Sequence, residues 1–116
     1  MSKRIKQING EIQRYLSEII TYDLKNPVIA GGIISVVKVE TTNDLSISKI
    51  YLSVFNKEQE QEVLNQIKHS ATYIRKELAQ KLDIRKVPFL EFYIDKSAQY
   101  KNEIDTLLEK IKEENN

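Results

Sequence analysis

The chain has 116 residues with 41% hydrophobic and 30% charged side chains, enough apolar material for one domain with a buried core. Eighteen Lys and Arg stand against 17 Asp and Glu, so no global basicity points to nucleic acid. The absence of Cys excludes disulfides, thiolate metal sites and cysteine nucleophiles, and the single His69 excludes a histidine-rich metal site. No run approaches the length of a membrane span, and the start Met1–Gln7 has no apolar segment behind its charges, so a cytoplasmic location is expected.

In chain order, Ile5, Ile8, Ile12, Leu16, Ile19 and Ile20 recur at steps of three and four and predict an amphipathic helix over 5–22. Lys3, Lys6 and Arg14 fall on its opposite face. Asn26-Pro27 should end the helix, because the residue before Pro is pushed out of the α region. Gly31-Gly32 is read as a turn with positive φ that opens a strand, Ile33 to Glu40. Thr41–Asp44 supplies turn chemistry, and Ser46 to Phe55 is a second strand with Ile50, Leu52 and Val54 on one face.

Asn56 with Gln59 has capping-box spacing and should start a long helix to about residue 82, built on Val63, Ile67, Ala71, Ile74, Leu78 and Leu82. Its stripe thins to small residues at Ser70-Ala71-Thr72, where a kink fits. Val87-Pro88 introduces a third strand, Phe89 to Ile94. Tyr100, Ile104, Leu107, Leu108 and Ile111 form a stripe for a last helix. The expected fold is α+β, helices covering a three-stranded sheet in two layers. Residues 1–97 form the domain, and 98–116 a C-terminal helix with a polar tail.

Enzyme signatures are missing: there is no GxGxxG, no phosphate loop and no nucleophile–base pair, so no enzyme, cofactor, metal site or small-molecule substrate is expected. Charge distribution says more. Between Lys68 and Lys86 lie six cations (Lys68, Arg75, Lys76, Lys81, Arg85, Lys86) and two carboxylates, whereas 101–116 holds three cations and five carboxylates. A basic helical layer of this kind neutralises phosphates without reading sequence, although the same asymmetry suits an ordinary solvated surface. Tyr51, Phe55, Phe89 and Tyr93 suit either a stacking face or the packed outer side of a thin sheet.

The chain resembles the bacterial ribosome-binding factor A family over residues 1–97. The resemblance is carried by Lys25-Asn26-Pro27-Val28, Ile33-Ile34-Ser35-Val36, Thr41 through Asp44-Leu45 and Ser48–Val54. Tyr73-Ile74-Arg75, the run Arg85–Phe92 and Asp95-Lys96-Ser97 add the most diagnostic pieces. It implies a KH-like domain of type II, in the order α-β-β-α(kinked)-α-β. It further implies a non-enzymatic factor that binds the free small (30S) ribosomal subunit and 16S rRNA during maturation; a monomer is expected because no heptad pattern is sustained. Such factors support processing of the rRNA 5′ end and growth in the cold. The family's kink has the form Ala-x-Gly; here Ser70, Ala71 and Thr72 occupy it, so the Gly is lost, and Phe89 stands where the family carries an acidic residue. The RNA-contacting residues expected are Lys3, Lys6, Arg14, Lys25, Lys68, Arg75, Lys76, Arg85 and Lys86. A different class of reading is a protein–protein adaptor that docks through the amphipathic C-terminal helix.

Overall fold

A computed structural model describes residues 3–96. The expected C-terminal helix and tail, 98–116, lie outside the described residues. Helix α1 (Lys3–Glu18) buries Ile5, Ile8, Ile12 and Leu16, the predicted stripe. It then widens into a π turn, Ile19–Asp23, closed by Leu24 N–H on the Ile19 carbonyl at 2.9 Å. This turn buries the adjacent Ile19 and Ile20 together at the end of the stripe.

Asn26-Pro27 ends that helix and also starts another. The Asn26 side-chain oxygen accepts from the Val28 and Ile29 N–H groups at 2.9 and 3.3 Å, and Pro27 sits in the first turn of α2 (Pro27–Gly32). This short helix is absent from the expected order. Gly31-Gly32 therefore closes a helix rather than opening a strand, and neither glycine has positive φ. The left-handed residue is Ile33, at φ 52°. Gly32 is needed for space: a Cβ there would lie 2.7 Å from Val63 Cγ2.

Strands β1 (Ile34–Thr41) and β2 (Ile47–Val54) form an antiparallel hairpin with a bulge between Val36 and Lys38. Gln13 of α1 donates to the Val36 carbonyl at 3.0 Å and so covers part of this sheet edge. The connection back from β2 begins with Asn56, but not as the expected capping box. Its amide donates to the Gly31 carbonyl, and a 3-10 turn, Lys57–Gln59, precedes α3 (Glu60–His69). Helix α3 ends at Ser70, whose N–H is shared by the Gln66 and Ile67 carbonyls, and α4 (Ala71–Lys81) sets off anew. Strand β3 (Phe89–Ile94) then pairs parallel with β2, giving the order β1-β2-β3. Parallel pairing needs a crossover, which α3 and α4 provide.

The inner sheet face, with Val36, Val39, Ile50, Leu52, Val54, Leu90 and Phe92, packs against Ile12, Leu16, Ile67, Ile74 and Leu78. The buried Thr41 and Ser48 hydroxyls satisfy each other at 2.8 Å across the hairpin. The fold is a KH-like α+β domain of two layers, as expected, with one helix more than the expected order.

Candidate nucleic-acid interface

Three loops and helix ends decide where the cations meet. The start of α1, the β1–β2 turn and the segment after α4 converge, so that Arg4, Asp44, Leu45, Ser46, Ile84, Arg85 and Lys86 line one concavity of about 270 Å³. The turn is firm. The Asp44 carboxylate accepts from the Ser46 and Thr42 hydroxyls, both at 2.7 Å, and from the Ser46 N–H at 3.1 Å. These bonds, the Ser46 hydroxyl first, hold the Asp44 carboxyl down at about 2. One anion therefore sits among three exposed cations. Arg4 is the member that charge-counting did not single out; its partners are some 80 positions away, and only the fold brings them together.

A second concavity, about 400 Å³, runs between α4 and β3 and is lined by Ala71, Thr72, Arg75, Lys76, Ala79, Val87, Phe89 and Leu90. Next to it, Lys68, Ala71, Phe89, Leu90, Glu91, Phe92 and Tyr93 line another of about 350 Å³. Ala71, Phe89 and Leu90 are common to both, so the two form a continuous groove along β3. Lys76 and Lys68 supply cations, one to each part. The small residues at the helix break, Ala71 and Thr72, leave the groove open beside the helix junction.

Arg75, expected as an RNA contact, lines this groove and also has partners within the protein. It is half-buried, and its guanidinium donates to the Val87 carbonyl at 2.6 Å and the Pro88 carbonyl at 3.3 Å. It fastens the segment carrying Arg85 and Lys86 onto α4. Lys3, Lys6, Arg14 and Lys25 are exposed as expected, yet none of them lines these concavities. Arg14 is held by its neighbour, donating to the Tyr15 hydroxyl at 2.9 Å with its guanidinium 4.7 Å from the ring centre. Thus Arg4, Arg85 and Lys86 meet at one concavity and Lys68, Arg75 and Lys76 line the groove along β3, while Lys3, Lys6, Arg14 and Lys25 lie outside both.

No group of His, Asp or Glu among the described residues is placed to hold a metal ion, and no described helix is long and apolar enough to cross a membrane.

The model of one protein family, ribosome-binding factor A, matches residues 4–108. The chain belongs to the ribosome-binding factor A family. A family member from Flavobacterium psychrophilum is 41% identical over 109 residues, covering 92% of this chain and 84% of the relative. The fold resembles the crystal structure of ribosome-binding factor A from Thermus thermophilus, with a TM-score of 0.72 at 22% identity over 80% of this chain and 97% of that one. It also resembles Thermus thermophilus coordinates of the family fitted into a cryo-EM map of a 30S complex. There the TM-score is 0.63 at 22% identity, covering 76% of this chain and 91% of that one.

Proposed function

We propose that this protein binds the small (30S) ribosomal subunit and its 16S rRNA in the cytoplasm during subunit maturation, and supports processing of the rRNA 5′ end. The observation that carries the reading is the meeting of Arg4, Arg85 and Lys86 at one concavity, in a chain of this family. The 30S complex of the Thermus thermophilus relative supports the choice of partner. Phosphate contacts from these cations, with Lys68 and Lys76, supply affinity, and rRNA shape supplies selectivity. The action is occupancy: binding stabilises one rRNA conformation, and the factor leaves when that conformation is superseded.

Co-sedimentation with purified ribosomal particles at two salt concentrations tests this. Binding to free small subunits but not to complete ribosomes, weakening steeply with salt, is the expected result. Absence from every particle at low salt overturns it.

A further inference from the structure

The two edges of the sheet are finished differently. At the β1 edge the Gln13 amide donates to the Val36 and Val37 carbonyls at 3.0 and 3.4 Å, and the bulge between Val36 and Lys38 interrupts the ladder. At the β3 edge the register decides which backbone groups face outward. The Phe89 N–H donates to the Ser46 carbonyl at 2.9 Å and the Asp95 N–H to the Leu52 carbonyl at 2.8 Å. Since every second residue of a strand points its N–H and C=O at the same neighbour, Phe89, Glu91 and Tyr93 face β2, and Leu90 and Phe92 turn theirs to the free side. Among the described residues nothing bonds to those four groups, although Leu90 is 5% and Phe92 4% exposed. Backbone groups withdrawn from water call for partners, and a row of them is a template for another strand.

The groove described above runs along this edge, and its walls say what kind of strand it takes. Ala71 and Ala79 are short and Leu90 is apolar, so there is room for apolar side chains beside the helices. Lys68 and Lys76, both exposed, stand on either side of the helix break, one in each part of the groove. Their long stems carry an ammonium group to a carboxylate over a range of positions. The edge and its walls together fit an extended chain with apolar and acidic side chains in alternation.

We propose that the free edge of β3 binds an extended acidic peptide of a partner protein, which joins the sheet as a fourth strand along this groove. The proposal goes beyond the rRNA reading: it leaves the concavity of Arg4, Arg85 and Lys86 to phosphates and gives Lys68 and Lys76 carboxylates to pair with. The backbone favours a peptide over RNA. Leu90 and Phe92 offer carbonyls as well as N–H groups, whereas phosphates bring acceptors only, and the Glu91 carboxylate on the groove wall opposes them. It also favours a partner over a second copy, because β3 (Phe89–Ile94) carries one carboxylate, Glu91, to set against two lysines.

The test is amide hydrogen exchange of the full chain with a capped heptapeptide that alternates valine and glutamate, at millimolar peptide. Exchange at Leu90 and Phe92 should slow by about tenfold or more, while Glu91 and Tyr93, already bonded to β2, change little. A peptide with valine and lysine in alternation should give no protection to the parent, and should protect the Lys68→Glu, Lys76→Glu variant instead. Methylating alternate backbone nitrogens of the valine–glutamate peptide, so that its edge loses its donors, should abolish the effect. No protection at Leu90 and Phe92 overturns the proposal. So does equal protection by a seven-nucleotide single-stranded RNA, which makes the groove a nucleic-acid site. Protection already complete in the peptide-free chain also overturns it: independent of protein concentration it assigns the edge to the chain itself, and rising with concentration to a second copy. No ribosomal particle enters the experiment, so its outcome is separate from that of the rRNA reading.

Discussion

The guanidinium of Arg75 donates to the Val87 carbonyl at 2.6 Å, tying α4 to the segment that bears Arg85 and Lys86. Hydrogen bonds from a charged donor contribute roughly 1.5–3 kcal/mol, and the Val87 and Pro88 carbonyls have no other protein donor to replace it among the contacts described. Arg75→Met should lower stability by about 1–3 kcal/mol, read as a lower midpoint with unchanged slope in urea unfolding. Lys76→Met, on an exposed side chain of the same helix, should leave the midpoint within about 0.5 kcal/mol of the parent. A charge reversal at Arg75 therefore mixes lost binding with lost folding, and Lys76→Glu is the cleaner probe of RNA contact. Equal midpoints for Arg75→Met and the parent would remove the fastening role.

Gly32 and Gly10 should respond to alanine with opposite signs. At Gly32 the new methyl would meet Val63 Cγ2 at 2.7 Å and Val54 Cγ1 at 3.3 Å, both fully buried. Overpacking of this kind costs about 1–3 kcal/mol. Truncating Val63 removes the clashing carbon, so Gly32→Ala with Val63→Ala should cost less than the two single changes added, by at least about 0.5 kcal/mol. At Gly10, within α1, a Cβ meets nothing within 4 Å, and Gly10→Ala should stabilise by about 0.5–1 kcal/mol. Thermal unfolding of the parent and the four variants decides both signs.

These contrasts show which parts of the molecule were legible in the sequence. Ile5, Ile8, Ile12 and Leu16 report their helix because one periodicity serves a single buried face, and Ile50, Leu52 and Val54 report β2 for the same reason. The Asn26-Pro27 step reads in the sequence as a stop only, although the Asn26 side chain caps a second helix that begins at Pro27. Gly31-Gly32 misled because glycine is associated with backbone freedom, whereas Gly32 answers to the Val63 side chain 31 positions away. The same limit governed the candidate interface. Lys68, Lys76, Arg85 and Lys86 lie close in sequence, where counting charge singles them out, but only tertiary packing brings Arg4 beside Arg85 and Lys86 and ties Arg75 to the Val87 carbonyl.

Asp44 makes the hairpin turn sensitive to acid. Its carboxyl titrates at about 2, below the usual 3.8, chiefly through the Ser46 and Thr42 hydroxyls. A depressed folded value means the carboxylate's contribution is fully present above pH 3.8 and is lost as pH falls toward 2. Asp44→Asn should accordingly be less stable than the parent at neutral pH, and the gap should narrow through that window. Urea midpoints of the two proteins at neutral pH and at steps down through the window test this; a gap that stays constant into acid would show that the turn does not depend on ionised Asp44.

If Arg4, Arg85 and Lys86 contact phosphates together, their removal should alter how binding depends on salt and not only its strength. Each phosphate contact contributes about 0.7–0.9 to the slope of log affinity against log salt. Arg4→Met, Arg85→Met and Lys86→Met should each weaken binding to free small subunits and lower that slope by about 0.7–0.9, and the triple variant by about 2–3. Lys38→Met removes a cation from the opposite, outer face of the sheet, where Lys38 is paired with Glu40, and should leave the slope unchanged. Circular dichroism of each variant separates lost binding from lost folding, since all three cations are exposed. An equal fall in slope for Lys38→Met would mean that the subunit reads the protein's total charge, whereas a fall confined to the other three assigns the contact to the concavity that α1, the hairpin turn and the segment after α4 build together.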